Sequence, residues 1–242
     1  MSTVNPSSLP VRIWRGGADG RFERYDVPRH ASQTVLDVVS HVQQHVDPTL
    51  AYRYACRVGM CGSCAMTVNG KARWTCRTHV DAVVGDAMLE IAPLNHMPLI
   101  RDLVVDMAPF FDKWAAAKGT FTPTATRHDD FARVAPSSVA RRAIDATIEC
   151  IGCGVCYASC DVVGWKPDYL GPAALNRAFT LINDVRDGAG DERLRAVASG
   201  TGCQACHTHQ SCTERCPKHL TPTASIASLK RRVALAVVKG RL

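Results

Sequence analysis

Cysteine spacing constrains this chain more than any other feature. Eleven of the twelve cysteines fall into three runs. The first is Cys56-x4-Cys61-x2-Cys64-x11-Cys76, the second Cys150-x2-Cys153-x2-Cys156-x3-Cys160, and the third Cys206-x5-Cys212-x3-Cys216-Pro217. The second and third runs are one pattern written twice, except that the third has His209 where a cysteine would complete it. Thiols at such fixed intervals must be brought together by tight loops, so the fold has to be built around them.

Disulfides and zinc are the competing uses for so many cysteines. Six disulfides would suit a secreted chain, but Met1–Pro10 is polar with no apolar leader or Arg-rich amphipathic character, so a reducing cytoplasm and metal binding are expected. Zinc sites usually use two CxxC pairs, whereas C-x2-C-x2-C-x3-C is an iron–sulfur spacing. The first run has the plant-type spacing of a [2Fe–2S] cluster, and the second has the bacterial spacing of a [4Fe–4S] cubane. Without a thiolate at one corner, the third is expected to hold [3Fe–4S]. Three redox centres on one chain point to electron transfer.

The formal charge of +7 is compatible with this. Clusters with their thiolates carry about −2 each when oxidised, so three nearly cancel the excess. Nucleic-acid binding has no motif in its favour. No window approaches eighteen apolar residues, so no membrane span is expected.

The expected fold class is α+β, in three parts: 1–105, a connector at 106–140, and 141–242. In the first part Val11–Arg15 and Phe22–Val27 read as a hairpin, and Thr34 caps a helix carrying Val35, Leu36, Val38, Val39, Val42 and Val46. Ala65–Val68, Asn69-Gly70 and Ala72–Thr75 read as a second hairpin, with Ala87–Ile91 as a last strand. From about 140 the pattern turns helical. Leu170–Asp187 and Asp191–Ala198 are expected helices, and Ser225–Lys239 an amphipathic one presenting Ile226, Leu229, Val233, Leu235, Val237 and Val238.

Gly59 and Gly62 let the first cluster loop curl with positive φ and turn N–H groups toward sulfur, an end to which Ser63 could add its hydroxyl. Cys56, Cys61, Cys64 and Cys76 are the expected [2Fe–2S] ligands. In paired bacterial runs the fourth cysteine of each ligates the other cluster. That assigns Cys150, Cys153, Cys156 and Cys216 to [4Fe–4S], and Cys160, Cys206 and Cys212 to [3Fe–4S]. Cys203 is either a fourth ligand of the last cluster or a buried thiol. His209 is either an iron ligand or a neighbour of that corner. His207 either bonds near the cluster or is a surface histidine, and Trp165 is either core or a contact for an aromatic electron acceptor. No nucleophile–base constellation, P-loop or GxGxxG accompanies them.

The segments "ACRVGMCGSCAMTVNG", "PLIRDLVVDMAPFF", "ECIGCGVCYASC", "LGPAALNRAF" and "CHTHQSCTERCPKHLTPTASI" resemble the iron–sulfur subunit of succinate dehydrogenase and fumarate reductase, respiratory complex II, over nearly the whole chain. The resemblance implies a plant-type ferredoxin domain of β-grasp fold, then an all-α bacterial-ferredoxin-like domain. It implies partners: a flavoprotein subunit with covalent FAD, and a membrane anchor, often with haem b, that holds the complex at the cytoplasmic face of the cell membrane. It also implies a path for electrons from flavin through the three clusters to quinone, with Trp165 and His207 lining the quinone site. Asp161, Gly164 and Cys203 depart from the family pattern. They leave open the pocket's shape and the choice between ubiquinone and menaquinone.

Overall fold

The computed structural model describes residues 8–85 and 88–242. The expectation for Met1–Pro10 thus falls largely outside the described residues, as does Ala87 of the expected last strand. Two compact units divide the chain: Met1–Met107 with Ile151–Ser159, and Ala108–Cys150 with Cys160–Leu242. Of the stretch read from sequence as a connector, residues 108–140 lie in the second unit and 106–107 in the first.

The first unit is built on β1 (Ser8–Arg15), β2 (Arg21–Pro28), β3 (Ala65–Val68), β4 (Lys71–Trp74) and β5 (Leu89–Ala92), in the order β2-β1-β5-β3-β4. The β1–β5 pairing is parallel, and β1–β2, β3–β4 and β3–β5 are antiparallel. Strand alternation points Leu9, Val11 and Ile13 into the core, where they meet Val35, Val38, Val39 and Val42 of helix α1 (Val35–His41) and its π-helical continuation Val42–Val46. Thr34 starts α1 with a full capping box: its hydroxyl accepts from Asp37 N–H, and the Asp37 carboxylate accepts from Thr34 N–H. The β3–β4 turn is the expected Asn69-Gly70, both with positive φ.

After β5 comes a hairpin the sequence did not announce, β6 (Leu99–Arg101) with β7 (Val104–Val105). Its turn buries Asp102, whose carboxylate accepts from Arg15 Nη1, Gly16 N–H and Ala51 N–H. The Ile151–Ser159 segment contributes α4 (Val155–Ala158), which packs Val155 and Ala158 against Ala65, Ala72 and Leu94.

The second unit comprises α2 (Ala108–Ala116), α3 (Val139–Ile144), α5 (Asp161–Trp165), α6 (Gly171–Ile182), α7 (Gly190–Val197), α8 (Ser211–Glu214) and α9 (Pro222–Val238). The first of these replaces connector with helix, and α6 stops at Ile182, short of the expected Asp187. In α9 the apolar stripe is only half buried: Ile226, Leu229 and Val233 face the core with Ala236, while Leu235, Val237 and Val238 are exposed. Among the described residues no helix is long and apolar enough to cross a membrane.

Candidate iron–sulfur centres

The Cys56–Cys64 loop is shaped to face sulfur. Met60 and Cys61 donate their backbone N–H groups to Cys56 Sγ at 3.2 and 3.3 Å, and Cys56 N–H reaches Cys61 Sγ at 3.5 Å. Arg57, Gly59 and Gly62 adopt positive φ to make this possible. The N–H donors of Val58, Met60 and Cys61 pull the Cys56 thiol down to about 6, favouring the thiolate. Ser63 is exposed, and the hydrogen bonds to Cys56 and Cys61 sulfur come from backbone N–H groups. Cys64 and Cys76 are buried beside Leu36, Tyr52 and Trp74. Thr75 clamps the Cys64 carbonyl with both its N–H and its hydroxyl. Burial, reinforced by the neighbouring Cys64, pushes the Cys76 thiol up to about 11, with Gly59 N–H acting against it. Two exposed-side and two buried sulfurs on one loop and one turn fit a small metal–sulfide core with one edge near solvent.

The second run divides between the units: Cys153 and Cys156 belong to the first, Cys150 and Cys160 to the second with Cys216. Gly152 and Gly154, both at positive φ, bracket Cys153. Within the first unit Cys153 packs so closely on the two-iron loop that a Cβ added to Gly62 would lie 2.5 Å from Cys153 Cβ.

In the second unit Cys160, Cys206 and Cys212 line one small cavity together with Asp161, Tyr169, His207, His209 and Thr223. Each sulfur has hydrogen-bond donors. Val163 and Val162 N–H serve Cys160, Thr208 N–H (3.4 Å) and the Tyr169 hydroxyl serve Cys206, and Thr223 Oγ1 lies 3.3 Å from Cys212 Sγ. Burial raises the Cys160 and Cys212 thiols, and raises Tyr169 most of all, so the tyrosine stays a neutral donor. Three thiols with sulfur-directed donors around one cavity are the donor set a three-iron sulfide core needs. Among the described residues no three His, Cys, Asp or Glu groups are close enough to share a single metal ion. In a cluster each iron takes only one or two of them.

His207 and His209 both line this cavity, while Trp165 is 71% exposed and meets His209 edge-on at 5.6 Å between ring centroids. Asp161 Oδ2 lies 3.5 Å from His209 Nδ1. Tyr169 and Thr223 escaped the sequence reading, because their distances from the cysteines follow no spacing rule. Cys203 is fully buried and is not among the residues lining the cavity. Replacing it by alanine is expected to leave the EPR signal of the neighbouring cluster unchanged and to cost about 1 kcal/mol of stability. A changed signal would make Cys203 a ligand.

A cysteine loop shaped to face sulfur on a mixed sheet, followed along the chain by two cubane-type cysteine runs, defines an iron–sulfur protein. Residues 10–112 match the 2Fe-2S iron-sulfur cluster binding domain, and residues 146–220 the 4Fe-4S dicluster domain. The succinate dehydrogenase iron-sulfur subunit of Paracoccus denitrificans is 36% identical over 92% of this chain and 85% of its own length. The fumarate reductase iron-sulfur subunit of Mycobacterium tuberculosis is 34% identical over 91% and 89%. A chain from the Mycobacterium smegmatis Sdh1 complex in the apo form superposes with a TM-score of 0.84 at 28% identity, covering 94% of this chain and 95% of that one. The chain belongs to the family of succinate dehydrogenase and fumarate reductase iron–sulfur subunits.

Proposed function

We propose that the chain is the electron-transfer subunit of a succinate:quinone oxidoreductase, accepting electrons from an FAD flavoprotein subunit and delivering them to quinone at a membrane anchor, which in many relatives holds haem b. Membership of the family over nine-tenths of the chain carries the proposal. When bound, the clusters supply one-electron redox chemistry. Cys56, Cys61, Cys64 and Cys76 hold [2Fe–2S] in a β-grasp domain, residues 1–105. Cys150, Cys153, Cys156 and Cys216 hold [4Fe–4S], and Cys160, Cys206 and Cys212 hold [3Fe–4S], in an all-α domain, residues 141–242, reached through 106–140. The chain's own work is electrostatic and steric. N–H and hydroxyl donors aimed at Cys56, Cys206 and Cys212 stabilise the thiolates and set how readily each centre accepts an electron.

Trp165 and His207 face quinone, with the complex on the cytoplasmic side of the membrane. An indole this exposed costs little to remove, so Trp165→Ala is expected to change stability by less than about 0.5 kcal/mol. The same substitution should raise the KM for quinone about tenfold or more, as loss of an aromatic anchor does. An unaltered quinone KM would remove Trp165 from the site.

A quinol:fumarate reductase is the second reading, supported by the 34% identity to a fumarate reductase subunit. Purification from membranes with partners retained, followed by iron and acid-labile sulfide analysis and an assay of succinate-driven quinone reduction, tests both. About nine irons per chain and succinate-driven turnover are expected. Far fewer irons would overturn the cluster assignment, and turnover only in the fumarate direction would favour the second reading.

A further inference from the structure

His209 stands in the third cysteine run where a fourth thiolate would complete the pattern. The fold keeps it at that place: His209 lines the cavity with Cys160, Cys206 and Cys212. A carboxylate oxygen, Asp161 Oδ2, lies 3.5 Å from Nδ1. A negative charge facing Nδ1 favours the tautomer with its proton there and leaves the lone pair on Nε2. Paired carboxylate and histidine side chains present imidazole to metals in this way. Among the described residues no hydrogen bond engages Nε2. Edge-on contact with Trp165 at 5.6 Å gives the ring a second support.

We propose that His209, oriented by Asp161, is a conditional fourth ligand that lets the reduced centre at Cys160, Cys206 and Cys212 take up one ferrous ion at the corner left open by the thiolates. This rests on reading that centre as [3Fe–4S]. The step balances without an added oxidant. One electron, delivered in turnover or by dithionite, brings the oxidised three-iron core to its neutral form. The neutral core plus Fe²⁺ is a four-iron core of charge 2+. His209 gives its Nε2 pair to the new iron, which loses bound water. Three core sulfides fill the remaining positions, so a single imidazole suffices. A neutral imidazole binds iron in a sulfur-rich setting less firmly than a thiolate does, so the uptake is reversible by chelators.

The test uses the complex purified anaerobically with its partners. The oxidised complex is first examined for the EPR signal of a three-iron centre. After dithionite reduction, ⁵⁷Fe-enriched ferrous sulfate is titrated in while the integer-spin signal of the reduced three-iron centre is followed. Expected are collapse of that signal and retention of one labelled iron per chain after desalting. His209→Ala and His209→Gln should keep the signal and retain no label. Asp161→Asn should need about 10–100-fold more ferrous ion, the usual effect of losing the group that orients a ligand. His209→Cys should contain the four-iron form before any iron is added, which identifies the corner. A parental signal indifferent to ferrous ion would overturn the proposal, as would equal uptake by the His209→Ala and His209→Gln variants. Absence of a three-iron signal from the starting oxidised complex would instead overturn the three-iron assignment itself, before any iron is added.

Discussion

Gly62→Ala is expected to cost the protein about 2–5 kcal/mol and to strip iron from the chain. Two terms add. Gly62 has φ +74°, a conformation costing an L-residue about 1–2 kcal/mol. The new methyl would also lie 2.5 Å from Cys153 Cβ and 2.8 Å from its Cα, closer than real contacts allow, and overpacking costs about 1–3 kcal/mol. The blocking atoms belong largely to backbone that has little freedom to retreat. Gly154, next to Cys153, has φ +77°, and a Cβ there would meet the Met97 methyl at 2.7 Å. Movement must therefore be taken up by the two cysteine loops, which displaces Cys61 and Cys64 on one side and Cys153 on the other.

Gly70→Ala is the matched control. Gly70 has nearly the same dihedral, φ +73°, but nothing within 4 Å of an added Cβ, so it should show the dihedral cost alone. The measurements are thermal midpoint, where the first variant should lose about 5–20 °C and the second about 2–8 °C, and iron per chain. Equal losses would show that the Gly62–Cys153 approach is not what the glycine is there for.

Much of this arrangement was legible beforehand because it is local. Cysteine intervals fix which thiols one loop can gather, and in the structure Cys160, Cys206 and Cys212 line one cavity. Thr34 as a helix cap and Asn69-Gly70 as a turn are short-range signals whose chemistry acts within the segment, and both were realised. What escaped depends on partners remote in sequence. Helix α2 buries only Phe110 fully, so its period was too weak to distinguish it from a linker. The β6–β7 hairpin is too short to alternate, and Asp102 at its turn gains meaning only from Arg15, Gly16 and Ala51. Spacing could not reveal that the second run is divided, with Cys153 and Cys156 in one unit and their neighbours in the other. Nor could it single out Tyr169 and Thr223, because a sulfur's hydrogen-bond donors follow from packing. The exposed end of α9 is the converse case: the apolar stripe was readable, but how much of it the core would cover was not.

Arg193→Ala is expected to destabilise the second unit by about 3–5 kcal/mol, the cost of breaking a buried ion pair from one side. Arg193 and Asp187 are 1% and 0% exposed and meet at 2.6 Å. The guanidinium also donates to the Lys118 and Thr120 carbonyls at 2.7 and 2.8 Å, and the carboxylate accepts from Thr122 and Ala189 N–H. One side chain on α7 thus fixes both the turn after α6 and the chain leaving α2. An apolar pair of equal volume would not restore what is lost, since the Lys118 and Thr120 carbonyls and the Thr122 and Ala189 N–H groups would lose the partners that tie these segments together. Arg193→Lys should recover little, because an ammonium cannot reproduce the planar fork. Removing the exposed Arg241–Asp191 pair should cost less than about 1 kcal/mol, which separates burial from mere charge pairing. The pH dependence has a definite sign. Burial alone would raise the Asp187 carboxyl, but the Arg193 hydrogen bond and the Thr122 and Ala189 N–H groups outweigh it and hold the pKa below the ordinary value. A depressed carboxyl contributes stability that is complete above about pH 4 and lost as the pH falls through the lower folded value. Thermal unfolding of the parent between about pH 6 and pH 3 should therefore fall more steeply than that of Arg193→Ala. Parallel curves, or a loss in Arg193→Ala no greater than for the exposed pair, would mean that the buried pair does not hold these segments together.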